Sequence, residues 1–522
     1  MNLSRIHFQH LLAAVRAPAK RQSDGIPKIT VHAAIRRFAF LYERIRNAVE
    51  YRDDHLLRKS AIQRMLKRLT LLESDPDALA EKLVRELVSA RYLPDAELPE
   101  SVLTDVARIV KKYHAVARVH ADQYRHLAWI RGIVSVEIEE ALVDHSEQKA
   151  LTTFLFERQL GRVHVHGVDI SDTEQRIQLY TACERAMWKA DAHMLSYKLL
   201  RAYLPEWMKP EEWIDNPRPI AERLIALQMK IERGLAHPLH QRYLRVVRPW
   251  AVSLQMLRDV LKESDDDAEA LIENPDKLDR LISDKSESEY NKARGRLRRG
   301  TLRAIVYLFL TKMVFALVLE VPLEMLLIGE VDSLALGVNL LFPPVLMFFV
   351  GLLIRVPGQD NTDRLVGGVH QLLGEEEIPT SEIRIRKQKG GAQRFIFTLI
   401  YTATFLLTFG LMIWLLVALD FTFISIGIFL FFLSVVSFFG FRLRRTAREV
   451  VVVEPRQGTV SILMDFFSLP VLRAGQWLSR SMNRINVFLF IFDFLIEAPF
   501  KMFLAILEEW FAFMKEKKEE LQ

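Results

Sequence analysis

LALGVNLLFPPVLMFFVGLLI, residues 334–354, and FIFTLIYTATFLLTFGLMIWLLVAL, residues 395–419, carry no charged side chain over 21 and 25 residues. A helix needs about 20 apolar residues to cross the hydrocarbon core of a bilayer, so both stretches predict transmembrane spans. A third run, Phe421 to Phe441, is equally uncharged and follows after Asp420, so the chain is expected to turn straight back there. The first run, about residues 304–328, is interrupted by Lys312, Glu320 and Glu324. The expected fold is therefore all-α: a helical bundle or array over residues 1–300, four spans within 301–441, and amphipathic interfacial helices in a tail over 442–522.

Arginine and lysine give these spans a direction. Arg294, Arg296, Arg298, Arg299 and Arg303 precede the first run, whereas Glu330 and Asp332 lie between runs one and two. Arg384, Arg386, Lys387, Lys389 and Arg394 precede the third run, and Arg442, Arg444, Arg445 and Arg448 follow the fourth. Bases concentrate on the cytoplasmic side of membrane proteins, so the loop 355–394 and both termini are expected inside. A bacterial inner membrane fits this pattern best; an organellar inner membrane with termini in the matrix is the alternative. The first fifteen residues, with Arg5 and no acid, fit either a packed or membrane-touching first helix or a transit peptide.

The formal charge of +6 is accounted for by these border bases, which points to anionic lipid headgroups as partner and not to nucleic acid. A lone cysteine, Cys183, rules out an internal disulfide framework.

Before the first span the sequence is almost wholly helical. Pro27, Pro76, Pro99, Pro210, Pro217, Pro238 and Pro275 each mark an expected helix start, since proline loses nothing at a first helical position and Asp75 or Asn274 caps the turn. The similarity of LLESDPDALAEKL at Leu71 to ALIENPDKLDRLI at Ala270 reflects this shared capping chemistry. Ser171 and Glu174 form a capping box for a helix running through Cys183 to Tyr203. RVHVHGVDI, residues 162–170, alternates and is the one expected strand of this half.

Catalytic signatures are missing: there is no Walker loop, dinucleotide fingerprint, HExxH, nucleophile elbow or paired CxxC. His164 and His166 share one face of the expected strand but have no third ligand at known spacing, and their ordinary role is an exposed strand face. Asp191 and His193, on the helix of Cys183 and Glu184, need partners from elsewhere to bind anything. Asp265 to Asp267 lack the glycine and distal glutamate of a calcium loop. No cofactor or metal is expected.

The membrane charges are the sharper candidates. Lys312 falls near mid-depth, about 15 Å into the first run, where an unpaired charge costs at least ~2.5 kcal/mol. Glu320 lies about 12 Å further, too far for a direct bond along one straight helix, and Pro322 is expected to kink or end that helix. Two readings follow: Lys312, Glu320, Glu324 and Asn339 form an intramembrane polar path, or Lys312 snorkels to one surface while the glutamates reach the other. In the second run Pro343 and Pro344 predict a kinked joint. The loop 355–394 reads as a flexible connection around one short helix with Gly367 and Gly368. The tail stripe from Asn486 to Lys515, and Val460 to Met482 before it, read as interfacial helices.

These features favour a membrane-anchored scaffold or regulatory protein with cytoplasmic protein partners. A channel or carrier, most simply a homo-oligomer, is the second reading, and an enzyme on a membrane substrate the third.

Overall fold

The computed structural model of the chain describes residues 9, 11–15, 27–31, 33–47, 53–119, 124–168, 170–264, 268–327, 329, 333–354, 357–374, 376–384, 391–447, 466 and 468–478. The chain folds as two compact units. One comprises Met1–Val163, Ile170–Ala251 and Val487–Gln522; the other comprises His164–Asp169 and Val252–Asn486.

The first unit is mostly helical in its described part. Residues 11–15 are helical (α1), and their Leu11, Leu12 and Val15 are buried. Then come α2 (Ala33–Asn47), α3 (Asp54–Leu72), α4 (Pro76–Ser89), α5 (Ser101–Val119), α6 (Tyr124–Leu142), α7 (Ser146–Gln159), α8 (Asp172–Trp188), α9 (Ala192–Tyr203) and α10 (Arg218–Leu235). The helix α11 (Pro238–Glu263) carries the chain from this unit into the next. Leu79, Leu83 and Leu87 recur every fourth residue of α4 and are wholly buried, with Ile62 and Met65 of α3, Val110 of α5 and Ile133 of α6 in the same core. Burying one such side chain stabilises by about 1.5–3 kcal/mol, which is why a single apolar stripe suffices to set each helix's orientation.

Capping chemistry fixes most helix starts as expected. Asp75 Oδ2 accepts from Ala78 N at 3.0 Å, Asn274 Oδ1 from Lys277 N at 3.2 Å, and Ser171 Oγ from Glu174 N at 3.3 Å. Two starts differ. Pro27 opens no helix: Lys28 bridges antiparallel to Pro99, and Ile29 N donates to Leu98 O at 3.0 Å. The helix predicted through Cys183 to Tyr203 is two, because Lys189 takes a left-handed φ of 52° and Asp191 caps a fresh start by accepting from Met194 N. A basic side chain in a left-handed turn has no hydropathic signature, so the break is invisible to periodicity.

The second unit joins a polar helical module to an apolar bundle. Helix α12 (Ala268–Ile272) leads into α13 (Pro275–Phe315), which continues through a π-helical turn, Ala316–Glu320, into α14 (Val321–Leu327). Helices α15 (Ser333–Leu353), α16 (Gln359–Leu373), α17 (Gly391–Ala418) and α18 (Phe423–Ala447) follow. Among the described residues four helices are long and apolar enough to cross a membrane: Pro275–Leu327, Ser333–Leu352, Phe395–Ala418 and Phe423–Phe441. By length and composition these are four candidate membrane spans, and such spans imply a lipid bilayer around them.

Within the bundle α15 lies between α13 and α18. Backbones approach where a side chain is missing: a Cβ on Gly351 would stand 2.4 Å from Thr301 Cγ2, and one on Gly440 would stand 2.6 Å from Val350 Cγ1. Small residues at crossings are how apolar helices gain van der Waals contact when lipid removes the hydrophobic drive between them. Ala304, Leu308, Met347 and Val436 form one core layer, and Phe342 meets Phe429 at a ring separation of 4.4 Å in another. Helix α17 is the peripheral member, with 17% of its apolar window buried against 50% for α18. Residues 468–478 are helical and seat on α17 and α18, where Arg473 lies over the Tyr401 ring at 4.6 Å and Val471 is buried.

Proline does not break these spans. Pro343 and Pro344 lie inside α15, which runs unbroken from Ser333 to Leu353. Asp420 makes the predicted tight return with φ 58°, and Phe421 N donates to Leu416 O at 3.0 Å across it.

The polar module packs on the first half of α13. Asn361 Nδ2 donates to Tyr290 Oη at 2.7 Å, His370 Nε2 lies 2.8 Å from Asp279 Oδ1, and a Cβ on Gly368 would meet Ser253 Oγ at 2.4 Å. The one short helix expected in this loop is α16, which is packed and closed by Gly374 at φ 94°. It is followed by a strand that periodicity did not anticipate: β2 (Ser381–Arg384) pairs with β1 (Val163–His166).

Candidate functional site

The π-helical turn decides the geometry of the membrane charges. Val321 N–H donates to Ala316 O, five residues back, so one extra residue is taken into the turn just before Pro322. That register accommodates the proline, whose ring would clash with a carbonyl four residues back. The helix therefore does not end at Pro322; it widens through the π-turn and continues to Leu327. At about 100° per residue, Lys312 and Glu320 would stand roughly 80° apart on a regular helix, and Lys312 and Glu324 roughly 120°. With one residue absorbed, both offsets fall to about 20° and the Lys312 to Glu320 rise to roughly 10 Å. One stripe results.

Lys312 Nζ donates to Glu320 Oε2 at 2.8 Å, and both side chains have zero exposure. The predicted lack of a direct bond fails because the expectation assumed a straight helix. The snorkelling reading also fails: Lys312 is turned to Glu320 and packs beneath aromatic faces, 4.7 Å from the Phe432 ring centre and 5.6 Å from that of Phe315. Neither glutamate reaches a surface, since Glu320 and Glu324 are 0% and 1% exposed.

Two other helices complete the cluster. Asn339 of α15 is 1% exposed, and its Nδ2 donates to Glu320 Oε1 at 2.6 Å and to Ser425 O at 3.3 Å. Ser425 of α18 donates its hydroxyl to Glu324 Oε1 at 2.5 Å and stands 3.4 Å from Glu320 Oε1. Thr422 donates to Glu324 Oε1 at 2.9 Å while its hydroxyl accepts from Ser425 N at 3.1 Å, so it caps α18 in the same act. The N-terminal end of α18, with its partial positive charge, consequently faces Glu324. The network ties the first, second and fourth spans together. Lys312, Glu320, Glu324 and Asn339, all singled out in the sequence, are brought into one site; Thr422 and Ser425 were missed, because a hydroxyl pair at a helix start looks like ordinary capping.

The other sequence candidates lie apart from it. His164 and His166 are exposed on β1, with Glu382 of β2 close enough that their charge helps hold it below the usual carboxylate range, after the larger effect of Arg384. Among the described residues no group of three or more metal-ligating side chains is found. Asp191 does find an outside partner, but a cation: Lys59 Nζ lies 2.6 Å from Asp191 Oδ2 and 3.3 Å from His193 Nδ1. Glu184 is held by Lys198 and by Tyr180 Oη at 3.0 Å, and Cys183 is wholly buried.

Arg294, Arg296, Arg298, Arg299 and Arg303 are all exposed on α13, immediately before its apolar half. Arg442, Arg444 and Arg445 fall in the last turns of α18. Arg448, Asp265 to Asp267 and the stripe from Asn486 to Lys515 lie outside the described residues. Comparison with protein-family profiles, curated proteins and solved structures finds no match.

Proposed function

We propose that this chain is a membrane-anchored scaffold or regulatory protein. In this reading four spans hold its helical region at the cytoplasmic face, with both termini inside, in a bacterial inner membrane or its organellar equivalent. The observation that carries it is the continuity of α13. This helix of 41 residues, roughly 60 Å long, bears the polar module on its first half and runs into the bundle on its second. A continuous helix transmits a shift or rotation from one end to the other, so a partner bound to the module is mechanically linked to the spans. Exposed arginines at the transition suit anionic headgroups, each worth about 1 kcal/mol near such a surface. The buried charge cluster supports a brace in this reading, because Lys312, Asn339, Thr422 and Ser425 all direct donors inward to two carboxylates.

The test uses the full chain in its native membrane. Cross-linking followed by mass spectrometry is expected to recover specific proteins joined through residues 53–263, and single cysteines at Arg296 and Asp420 are expected to label from opposite sides. The lone native thiol is buried and leaves that assay clean. Labelling of both sites from one side sinks the topology, and recovery of no partner sinks the scaffold reading. The charged set in the spans also favours a second reading, a carrier or channel. It requires that Lys312→Ala or Glu320→Gln abolish a flux measurable in proteoliposomes; no flux in the wild type removes it.

A further inference from the structure

We propose that Glu324 and Asn339 form a binding site for one small monovalent cation, a proton or an ion of the sodium class, inside the transmembrane bundle. Charge and leftover acceptors define the site. Lys312 and Glu320 neutralise each other at 2.8 Å, which leaves Glu324 as one formal negative charge with 1% exposure. Its Oε1 is saturated by the Ser425 and Thr422 hydroxyls, whereas its Oε2 is buried and has no hydrogen-bond partner among the described residues. Asn339 repeats the pattern: Nδ2 is used twice, and Oδ1 is buried without a partner among the described residues.

Among the described residues no donor reaches Oε2 of Glu324. Lys312 Nζ goes to Glu320, and the Ser425 amide goes to Thr422. The dipole of α18 offsets at most about half a charge and supplies no further hydrogen to Oε2. A buried acceptor left unmade costs about 1–3 kcal/mol and an uncompensated buried charge more, and hydrocarbon offers no water to help. What the site needs is one positive charge that also satisfies oxygen, and a small cation does both. An anion would meet two carboxylates.

The route in is short. Glu324 sits in the last turn of α14, where its carbonyl accepts from Gly329 N at 3.1 Å, and Thr422 precedes the first turn of α18. Asp420, exposed in the adjoining return two residues before Thr422, lies at the same end of the bundle. The cation therefore enters from the side of the two short connections, opposite the exposed arginines of α13.

The test takes the purified full chain in detergent, in sodium-free choline buffer. Dicyclohexylcarbodiimide, which attacks protonated carboxyls in apolar surroundings, is applied across a pH series, and labelled residues are mapped by mass spectrometry. The expected result is a label on Glu324 that rises several-fold on acidification and is lost in Glu324→Gln. Sodium added at constant ionic strength that suppresses the label several-fold assigns a sodium-class ion; no effect of sodium assigns the proton. Asn339→Ala is expected to shift the labelling midpoint while leaving Glu324 reactive. Absence of label on Glu324 at every pH overturns the proposal, and that result stands on the wild type even if the variants do not fold.

Discussion

Each unit buries a lysine against a glutamate, and the two pairs are closed differently. In the first unit Lys112 is bonded to Glu137, whose other oxygen accepts from Trp207 Nε1 at 2.9 Å, and Lys112 Nζ lies 4.8 Å from the Trp207 ring centre. Both carboxylate oxygens and the net charge are satisfied by three residues from separate helical elements. Burial pushes the Lys112 ammonium down from its ordinary range, and Glu137 opposes that. In the second unit Glu320 is equally well satisfied, yet a second carboxylate, Glu324, is linked to it through Ser425. The first cluster is complete; the second has one charge and two acceptors left over. That surplus distinguishes a structural pair from a site that takes something.

Breaking the lysines should have the largest effect. Lys112→Met and Lys312→Met each leave a buried carboxylate uncompensated, worth about 3–5 kcal/mol, and removing the partner as well should restore most of the loss. The measurement is the unfolding midpoint of the full chain for single and double variants. If Lys312→Met is silent while Lys112→Met is not, the membrane pair is wet and the comparison fails.

Close packing comes next. Gly132→Ala places a Cβ 2.2 Å from the His193 ring, and Gly475→Ala places one 2.0 Å from the Ser434 carbonyl. Overpacking of this kind costs about 1–3 kcal/mol. The second change should cost more, because backbone cannot rotate away; thermal stability of the two variants decides.

A third difference is access to solvent protons. His145 lies 2.8 Å from Glu139, which also binds Arg58. Burial lowers the affinity of His145 for its proton, but the contact and charge of Glu139 outweigh it, so the imidazole is held above its ordinary 6.5. Its contribution is full below pH 6.5 and fades as pH rises through the higher folded value. Glu139 moves the other way: burial is outweighed by His145 and Arg58, and it is held below 4.5, so its contribution is lost only as pH falls through that lower value. His145→Gln should therefore destabilise most between about pH 4.5 and 6.5 and least near pH 8, measured by thermal unfolding. An equal loss at both ends sinks this account.

The smallest expected effect is at the hydroxyls. Ser425→Ala removes one donor to Glu324 but leaves Ser425 O for Asn339, so about 1 kcal/mol should be lost.

Hydropathy, border charge and caps are properties of neighbouring residues, and they were legible. The four spans, the return at Asp420 and the starts at Asp75, Ser171 and Asn274 follow from spacing along the chain alone. Lys312, Glu320, Glu324 and Asn339 also stood out as polar groups in apolar runs, since charge there is costly wherever it points. What they do was not legible. Whether Lys312 meets Glu320 depends on one residue absorbed in the turn before Pro322, and a regular 3.6-residue period cannot contain that shift. The roles of Thr422 and Ser425 depend on α18 starting beside Glu324, about a hundred positions away in sequence. The sequence by itself determined that this is a helical protein with four candidate spans and charge in the first, because hydropathy is decided residue by residue. Tertiary structure alone decided that this charge is paired, and that Glu324 is left wanting a cation, because pairing requires atoms from three helices to meet at one point.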